Sequence, residues 1–265
     1  MMTDPSQEAR GARSGGTLAG KIAIVTGGNR GIGRAIALRL AREGARLVLA
    51  ARDETALGGT AAEIAADGGS ATSFAADLRT PEAPAALVQT TLEACGAIDI
   101  IVSSAGATKR GDFLELTEAD WVDGFALKFF GAVRLIRAAW PHLKGRQGSV
   151  LNIIGIGGRT PGAEFTIGGS VNGAFLSFTK ALADVGVRDG VQVNAINPGW
   201  VRTDRLRQTL ERAAAAAEEL VRKGNIVRLG EPEDIANLAA FILSPQGRLF
   251  QGALVDMDGG QTKTL

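Results

Sequence analysis

The 265-residue chain is 45% hydrophobic and sets 29 Lys and Arg against 28 Asp and Glu, a formal net charge of +1. That supplies one sizeable core, while charges so evenly mixed exclude the basic face by which proteins hold nucleic acid. The single cysteine, Cys95, excludes an intrachain disulfide, and no Cys, His or acidic cluster has metal-ligand spacing, so no metal site is expected.

The opening segment, Met1 to Gly16, mixes Asp, Glu, Arg, Ser and Gly without an apolar stretch. No later apolar run approaches the roughly 20 residues needed to cross a bilayer. These features predict a flexible tail over 1–17, one domain over 18–265, a cytoplasmic location and no membrane partner. From Lys21 onward short apolar runs alternate with helical patterns, the signature of βα units building a doubly wound, mostly parallel α/β sheet. Seven strands are predicted: Ile22–Val25, Arg46–Ala50, Ala71–Ala75, Ile98–Val102, Ser149–Ile153, Gln192–Ala195 and Ala253–Val255. Helices are predicted over Gly31–Glu43, Glu54–Asp67, Pro81–Ala94, Glu118–Leu143, Gly169–Val187, Asp204–Lys223 and Pro232–Leu243. In such sheets ligands bind beyond the carboxyl ends of the strands, so the loops after Val25, Ala50, Val102, Ile153 and Asn197 are expected to line a site.

The first of these loops reads Thr26-Gly27-Gly28-Asn29-Arg30-Gly31-Ile32-Gly33. Glycines between a strand and a helix let the backbone approach a pyrophosphate, and the helix N-terminus supplies N–H groups and partial positive charge. An acidic residue ending the second strand would accept bonds from a ribose 2′-hydroxyl and repel a 2′-phosphate. Here that strand ends in Ala50-Ala51-Arg52, and Arg52 with Arg30 offers two planar guanidinium forks suited to a phosphate. NADP(H) is therefore expected over NAD(H), with Asp53 as a competing ribose ligand.

The spacing Thr-Gly-x-x-x-Gly-x-Gly, followed in order by Asp77-Leu78, Ser104-Ala105-Gly106, Asn197-Pro198-Gly199 and Thr203, resembles the short-chain dehydrogenase/reductase family from Leu18 to Gly260. The resemblance implies a Rossmann fold and a cofactor site made of Thr26, Gly27, Asn29, Arg30, Gly31, Ile32 and Gly33 at the phosphates. It adds Arg52, Asp77 and Leu78 at the adenosine end, Ser104, Ala105 and Gly106 alongside, and Pro198, Gly199 and Thr203 at the nicotinamide. It also implies a small-molecule substrate and a homo-oligomer, tetramer or dimer, formed through the helices over Glu118–Leu143 and Gly169–Val187.

The family's proton-transfer group is a tyrosine, and this chain contains none. Register against the family's Asn, Ser, Tyr and Lys places Lys128, Gly155, Gly168 and Asn172 at the four positions; an alternative register sets Phe165 opposite the missing tyrosine. Lys and Asn thus read as exchanged, with positive charge moved to the opposite wall. Lys128 is the catalytic candidate and Asn172 a ribose contact, against the plain alternative that Lys128 snorkels to water. His142 and Cys95 read as a helix-terminal and a packing residue, while Glu164, Thr166 and Ser170 stand near the site without a role. Leu206, Leu210 and Leu220 suggest a lid over an apolar or mixed substrate. Three functions remain open on sequence: an NADP(H)-dependent oxidoreductase acting on a carbonyl or alcohol, a non-catalytic NADP(H)-binding sensor or partner, and a structural subunit without cofactor.

Overall fold

Seven parallel strands lie in the order β3-β2-β1-β4-β5-β6-β7 in the computed structural model, which describes residues 16–212 and 216–263. The strands are β1 Ile22–Thr26, β2 Arg46–Ala51, β3 Ser70–Ala75, β4 Ile100–Ser103, β5 Ser149–Ile153, β6 Gln192–Pro198 and β7 Leu254–Met257. Their side chains alternate between two cores. Ala23 and Val25 on β1, Leu47 and Leu49 on β2, and Ile100 and Val102 on β4 face one; Ile24, Val48 and Ile101 face the other. Helices α1 (Gly31–Arg42), α2 (Glu54–Ala66) and α9 (Pro232–Leu243) cover the first face. Helices α3 (Ala83–Cys95), α5 (Ala132–Lys144) and α6 (Thr166–Asp189) cover the second. Strands buried on both faces need continuous apolar runs, which is why they were legible as such.

The strand order reverses between β1 and β4, where Thr26 pairs with Ser103, and this switch point opens the crevice in which such sheets bind ligands. At the opposite end of the sheet the buried Asp99 accepts from the Ile22 backbone N–H at 2.9 Å and pairs with Lys21 at 3.3 Å and Arg146 at 2.8 Å. Its partners satisfy the buried charge, so it fastens the fold.

Three sequence expectations change. The long helix over Glu118–Leu143 is α4 (Glu118–Phe125), a π-helical turn over Ala126–Gly131, and α5. Widened turns of this kind insert a residue and re-aim side chains, often at functional sites. The helix expected over Asp204–Lys223 is split into α7 (Asp204–Arg212) and α8 (Ala217–Gly224). Leu206 is buried with Ile226 and Leu229, and Leu210 and Leu220 pack on that cluster. These leucines hold the α7–α8 segment together, and Leu206 and Leu210 also wall the cavity beside α1. Strand β6 also runs to Pro198, farther than Ala195, because Asn197 and Pro198 pair with Asp256 and Met257 on β7. Of the tail expected over 1–17, residues 1–15 lie outside the described residues. Among the described residues no helix is long and apolar enough to cross a membrane, and none of the His, Cys, Asp and Glu side chains cluster as a metal site.

Candidate active site

Thr26 ends β1 with a buried side chain whose Oγ1 accepts from the N–H groups of Ser104 at 3.0 Å and Ala105 at 3.1 Å. One hydroxyl thereby locks the glycine loop to the loop after β4. Gly27 follows at φ +71°, a left-handed conformation that favours glycine, and a Cβ there would stand 3.1 Å from the Ala105 backbone. Asn29 and Arg30 form the turn; Arg30 is extended and exposed at the start of α1, with no side-chain bond to the helix. Gly31 sits at φ +54°, and Ile32 packs against the core. A Cβ on Gly33 would lie 2.3 Å from the Gly27 carbonyl oxygen. Bare backbone thus lines the N-terminus of α1, a cradle of the shape a dinucleotide pyrophosphate requires. A cavity of about 660 Å³ adjoins it, walled by Gly31, Thr203, Asp204 and Leu206, among others.

The other expected cofactor residues collect at the same strand ends. Arg52 is exposed past β2, with Nη1 4.0 Å from Asp77 Oδ2. Burial raises the Asp77 pKa, but the Arg79 backbone N–H and guanidinium outweigh it and hold the carboxyl below its ordinary range. Leu78 is buried beside it. Asp53, the rival ribose ligand, instead caps α2, its Oδ1 accepting from the Ala56 N–H at 3.0 Å. On the far side, the Gly199 N–H donates to the Met257 carbonyl at 3.1 Å, fixing the Pro198-Gly199 turn. The Thr203 methyl group would stand 3.4 Å from a Cβ at Gly31.

The exchanged lysine and asparagine meet. Lys128 leaves the π-helical turn, runs along Gly106, and its Nζ donates to Asn172 Oδ1 at 2.7 Å and to the Ile154 carbonyl. The ammonium therefore neither snorkels to water nor occupies an opposite wall; it stays at the end of β5, held by Asn172. Burial, with the Arg205 charge adding to it, lowers its pKa to about 7. Two of its three donors are used, leaving one N–H for a substrate oxygen. Asn172 is buried, and with its amide oxygen committed to Lys128 it is a positioning residue for that ammonium.

Where the tyrosine would rise from Gly168, the Phe165 ring lies directly on the glycine: a Cβ there would fall 2.0 Å from the ring's Cζ. The same ring carries the Arg110 guanidinium 4.0 Å above its centroid, a cation–π contact. Phe165 thus fills the volume over Gly168 from three residues upstream. Gly168→Ala is expected to lower Tm by several degrees through this overlap, and adding Phe165→Ala to remove most of the loss, as a thermal-unfolding double-mutant cycle would read. Additive losses would place the ring elsewhere. Gly155, expected at the serine position, is a backbone turn at φ +126°.

The weaker candidates stay apart from this chemistry. His142 lies in the last turn of α5 and Cys95 packs at the end of α3. The Glu164 carbonyl accepts from the Gly111 N–H at 3.2 Å, Thr166 opens α6 and Ser170 is exposed on it. Sequence reasoning passed over Arg110, in a loop expected to line the site, and Arg205, at the start of the helix that follows another. Arg205 opens α7, and its Nη2 donates to the Gly106 carbonyl.

Residues 27–262 match the family model described as Enoyl-(Acyl carrier protein) reductase. The chain is 36% identical over 253 residues to an uncharacterized oxidoreductase of Mycobacterium tuberculosis, covering 91% of this chain and 92% of that protein. It is 32% identical over 244 residues to the 3-oxoacyl-[acyl-carrier-protein] reductase FabG of Vibrio harveyi, covering 92% and 98%. The L-sorbose reductase of Gluconobacter frateurii, solved with NADPH and L-sorbose, superposes with a TM-score of 0.88 at 31% identity, covering 95% of this chain and 99% of that one.

Proposed function

We infer the activity from the premise that this chain belongs to the short-chain dehydrogenase/reductase family and is an oxidoreductase of that family. It works with NADP(H), preferred over NAD(H), on a small carbonyl or alcohol. The observation that carries the cofactor choice is the end of β2: Asp53 is committed to capping α2, and Arg52 and Arg30 stand exposed with donors suited to a 2′-phosphate. The neighbouring fold bound to NADPH supports the same reading.

The bound cofactor supplies hydride, and this chain supplies position and the proton. The N-terminus of α1 with Gly27, Gly31 and Gly33 takes the pyrophosphate; Asp77 and Leu78 flank the adenosine; Ser104, Ala105, Gly106, Pro198, Gly199 and Thr203 border the nicotinamide end. In the reducing direction Lys128 donates its free N–H to the substrate oxygen, stabilises the charge that develops there and releases the proton to it. The neutral amine remains anchored by Asn172 and takes its next proton from solvent. In the oxidising direction the same amine accepts the proton. Family membership favours this enzyme over the non-catalytic and structural readings. The protein assembles as a homo-oligomer, tetramer or dimer, through α4, the π-helical turn, α5 and α6, a reading supported by the exposed apolar side chains of Val122, Phe130 and Val187.

Fluorescence titration with NADPH and NADH in parallel tests the premise. NADPH is expected to bind at least tenfold tighter, and Arg30→Ala with Arg52→Ala to erase most of that difference. Equal affinities in the unaltered protein would overturn the NADP preference.

A further inference from the structure

The substrate side of the cleft gathers positive charge with no carboxylate at ion-pair distance among the described residues. Arg110 comes from the loop after β4, Lys128 from the π-helical turn and Arg205 from the start of α7, three separate stretches of chain. Gly106 lies between two of them: a Cβ on it would stand 3.0 Å from Lys128 Cδ, and its carbonyl accepts from Arg205. Burial lowers the Arg205 pKa, and the nearby charges of Arg30 and Arg110 lower it further. Burial likewise lowers that of Arg110, against which Glu164 acts as the opposing charge.

Several arginines elsewhere are paired. Arg79, Arg146 and Arg228 hold carboxylates at 2.6 to 2.8 Å. Among the described residues, Arg110, Lys128 and Arg205 form no such ion pair. Like charges crowded into one cleft repel and focus a positive field on it, an arrangement that favours an incoming anion. The cofactor phosphates are assigned to Arg30, Arg52 and the α1 terminus, which leaves Arg110 and Arg205 for another ligand. Phe165 backs the Arg110 guanidinium, and its ring edge meets Asn172 Nδ2 at the Gly157 Cβ position, while Arg205 is tied to Gly106, against which Lys128 runs; the two forks thus border the Lys128–Asn172 pair from two sides.

We propose that Arg110 and Arg205 hold a carboxylate of the substrate beside Lys128, so that the enzyme acts on a small oxo or hydroxy acid. A guanidinium matches a planar carboxylate with two parallel N–H bonds, and it leaves the remaining Lys128 N–H for the reacting oxygen. The proposal rests on the oxidoreductase reading above and names its substrate class.

The test is calorimetric titration of the full-length, NADP+-saturated protein at low ionic strength with oxalate, malonate and succinate, each against its uncharged diamide. At least one acid is expected to bind tenfold or more tightly than its diamide, and Arg110→Met/Arg205→Met to abolish that preference while NADP+ affinity changes less than threefold. The proposal falls if no acid outbinds its diamide, or if the preference survives in the double variant. It falls also if Arg205→Met weakens NADP+ tenfold, since that guanidinium would then belong to the cofactor. If the unaltered protein binds no NADP+, the cofactor reading fails separately, and the acid and diamide comparison on the bare protein still decides this one.

Discussion

Lys128→Met is expected to reduce turnover by roughly 10² to 10⁴-fold while leaving the NADPH dissociation constant within threefold, because the variant keeps the length of the side chain and loses the proton. Methionine still packs along Gly106, so the glycine loop on the far side of Thr26 has no reason to move. The pH dependence carries the same signature. Lys128 falls from the ordinary 10.5 to about 7, so the ammonium needed for reduction disappears above about pH 7, and the rate should fall toward tenfold per pH unit beyond it. Oxidation should rise through the same interval, since it uses the amine. For stability the sign also follows: between about pH 7 and 10.5 the unfolded chain binds more protons at this lysine than the folded one. Its contribution to stability therefore rises with pH across that window, and the Tm of Lys128→Met relative to the unaltered protein should increase as pH is lowered through it. A variant that turns over at the original rate, with the original pH profile, would remove Lys128 from the chemistry.

Gly33→Ala is expected to weaken NADPH binding by at least about 100-fold, or to prevent folding, for a reason independent of the catalytic assignment. The added Cβ would stand 2.3 Å from the Gly27 carbonyl oxygen and 2.8 Å from its carbonyl carbon, both backbone atoms. Neither side can yield cheaply: Gly27 is bonded through its N–H to the Ala50 carbonyl at 2.7 Å, and α1 is packed between the sheet and α9. Overpacking of this kind costs about 1 to 3 kcal/mol, and relief requires the phosphate cradle to deform. Gly58→Ala on α2 is the control. Nothing lies within 4 Å of its Cβ position, and an alanine inside a helix should add about 0.5 to 1 kcal/mol of stability. Unaltered NADPH affinity in Gly33→Ala would show that the α1 terminus is not the phosphate site.

Most of the fold could be read from local pattern. Every strand was located to within a few residues, and in the central ones Ile24, Leu47, Val102 and Leu151 sit in runs buried on both faces, which leave an unbroken apolar signature. Helix α9 was found to the residue, opened by Pro232 at a position where the missing N–H costs nothing. The glycine cradle was legible because close backbone approach demands glycine at fixed offsets from a strand end. The interruption of the helix over Ala126–Gly131 was not, since a π turn leaves composition unchanged and ALKFFG reads as ordinary helix. The start of α8 at Ala217 escaped for a similar reason: Ala-rich composition favours helix, yet Ala216 is extended, and Leu206, Ile226 and Leu229 pack α7 against the segment that follows α8.

The sequence by itself determined that this chain is a doubly wound sheet with a dinucleotide cradle and that no phenol can act in it, because periodicity, glycine spacing and the absence of a residue type are local facts. Tertiary structure decided what replaced the lost site. Lys128 and Asn172 are far apart in sequence, and only the approach of the π turn to the end of β5 and α6 closes their 2.7 Å bond and withdraws the ammonium from water. Likewise, the Phe165 ring on Gly168 and the gathering of Arg110 and Arg205 around it and Gly106 arise where loops from different strands converge. Desolvation and charge crowding depend on which groups share a volume, and that information appears only when the chain has folded.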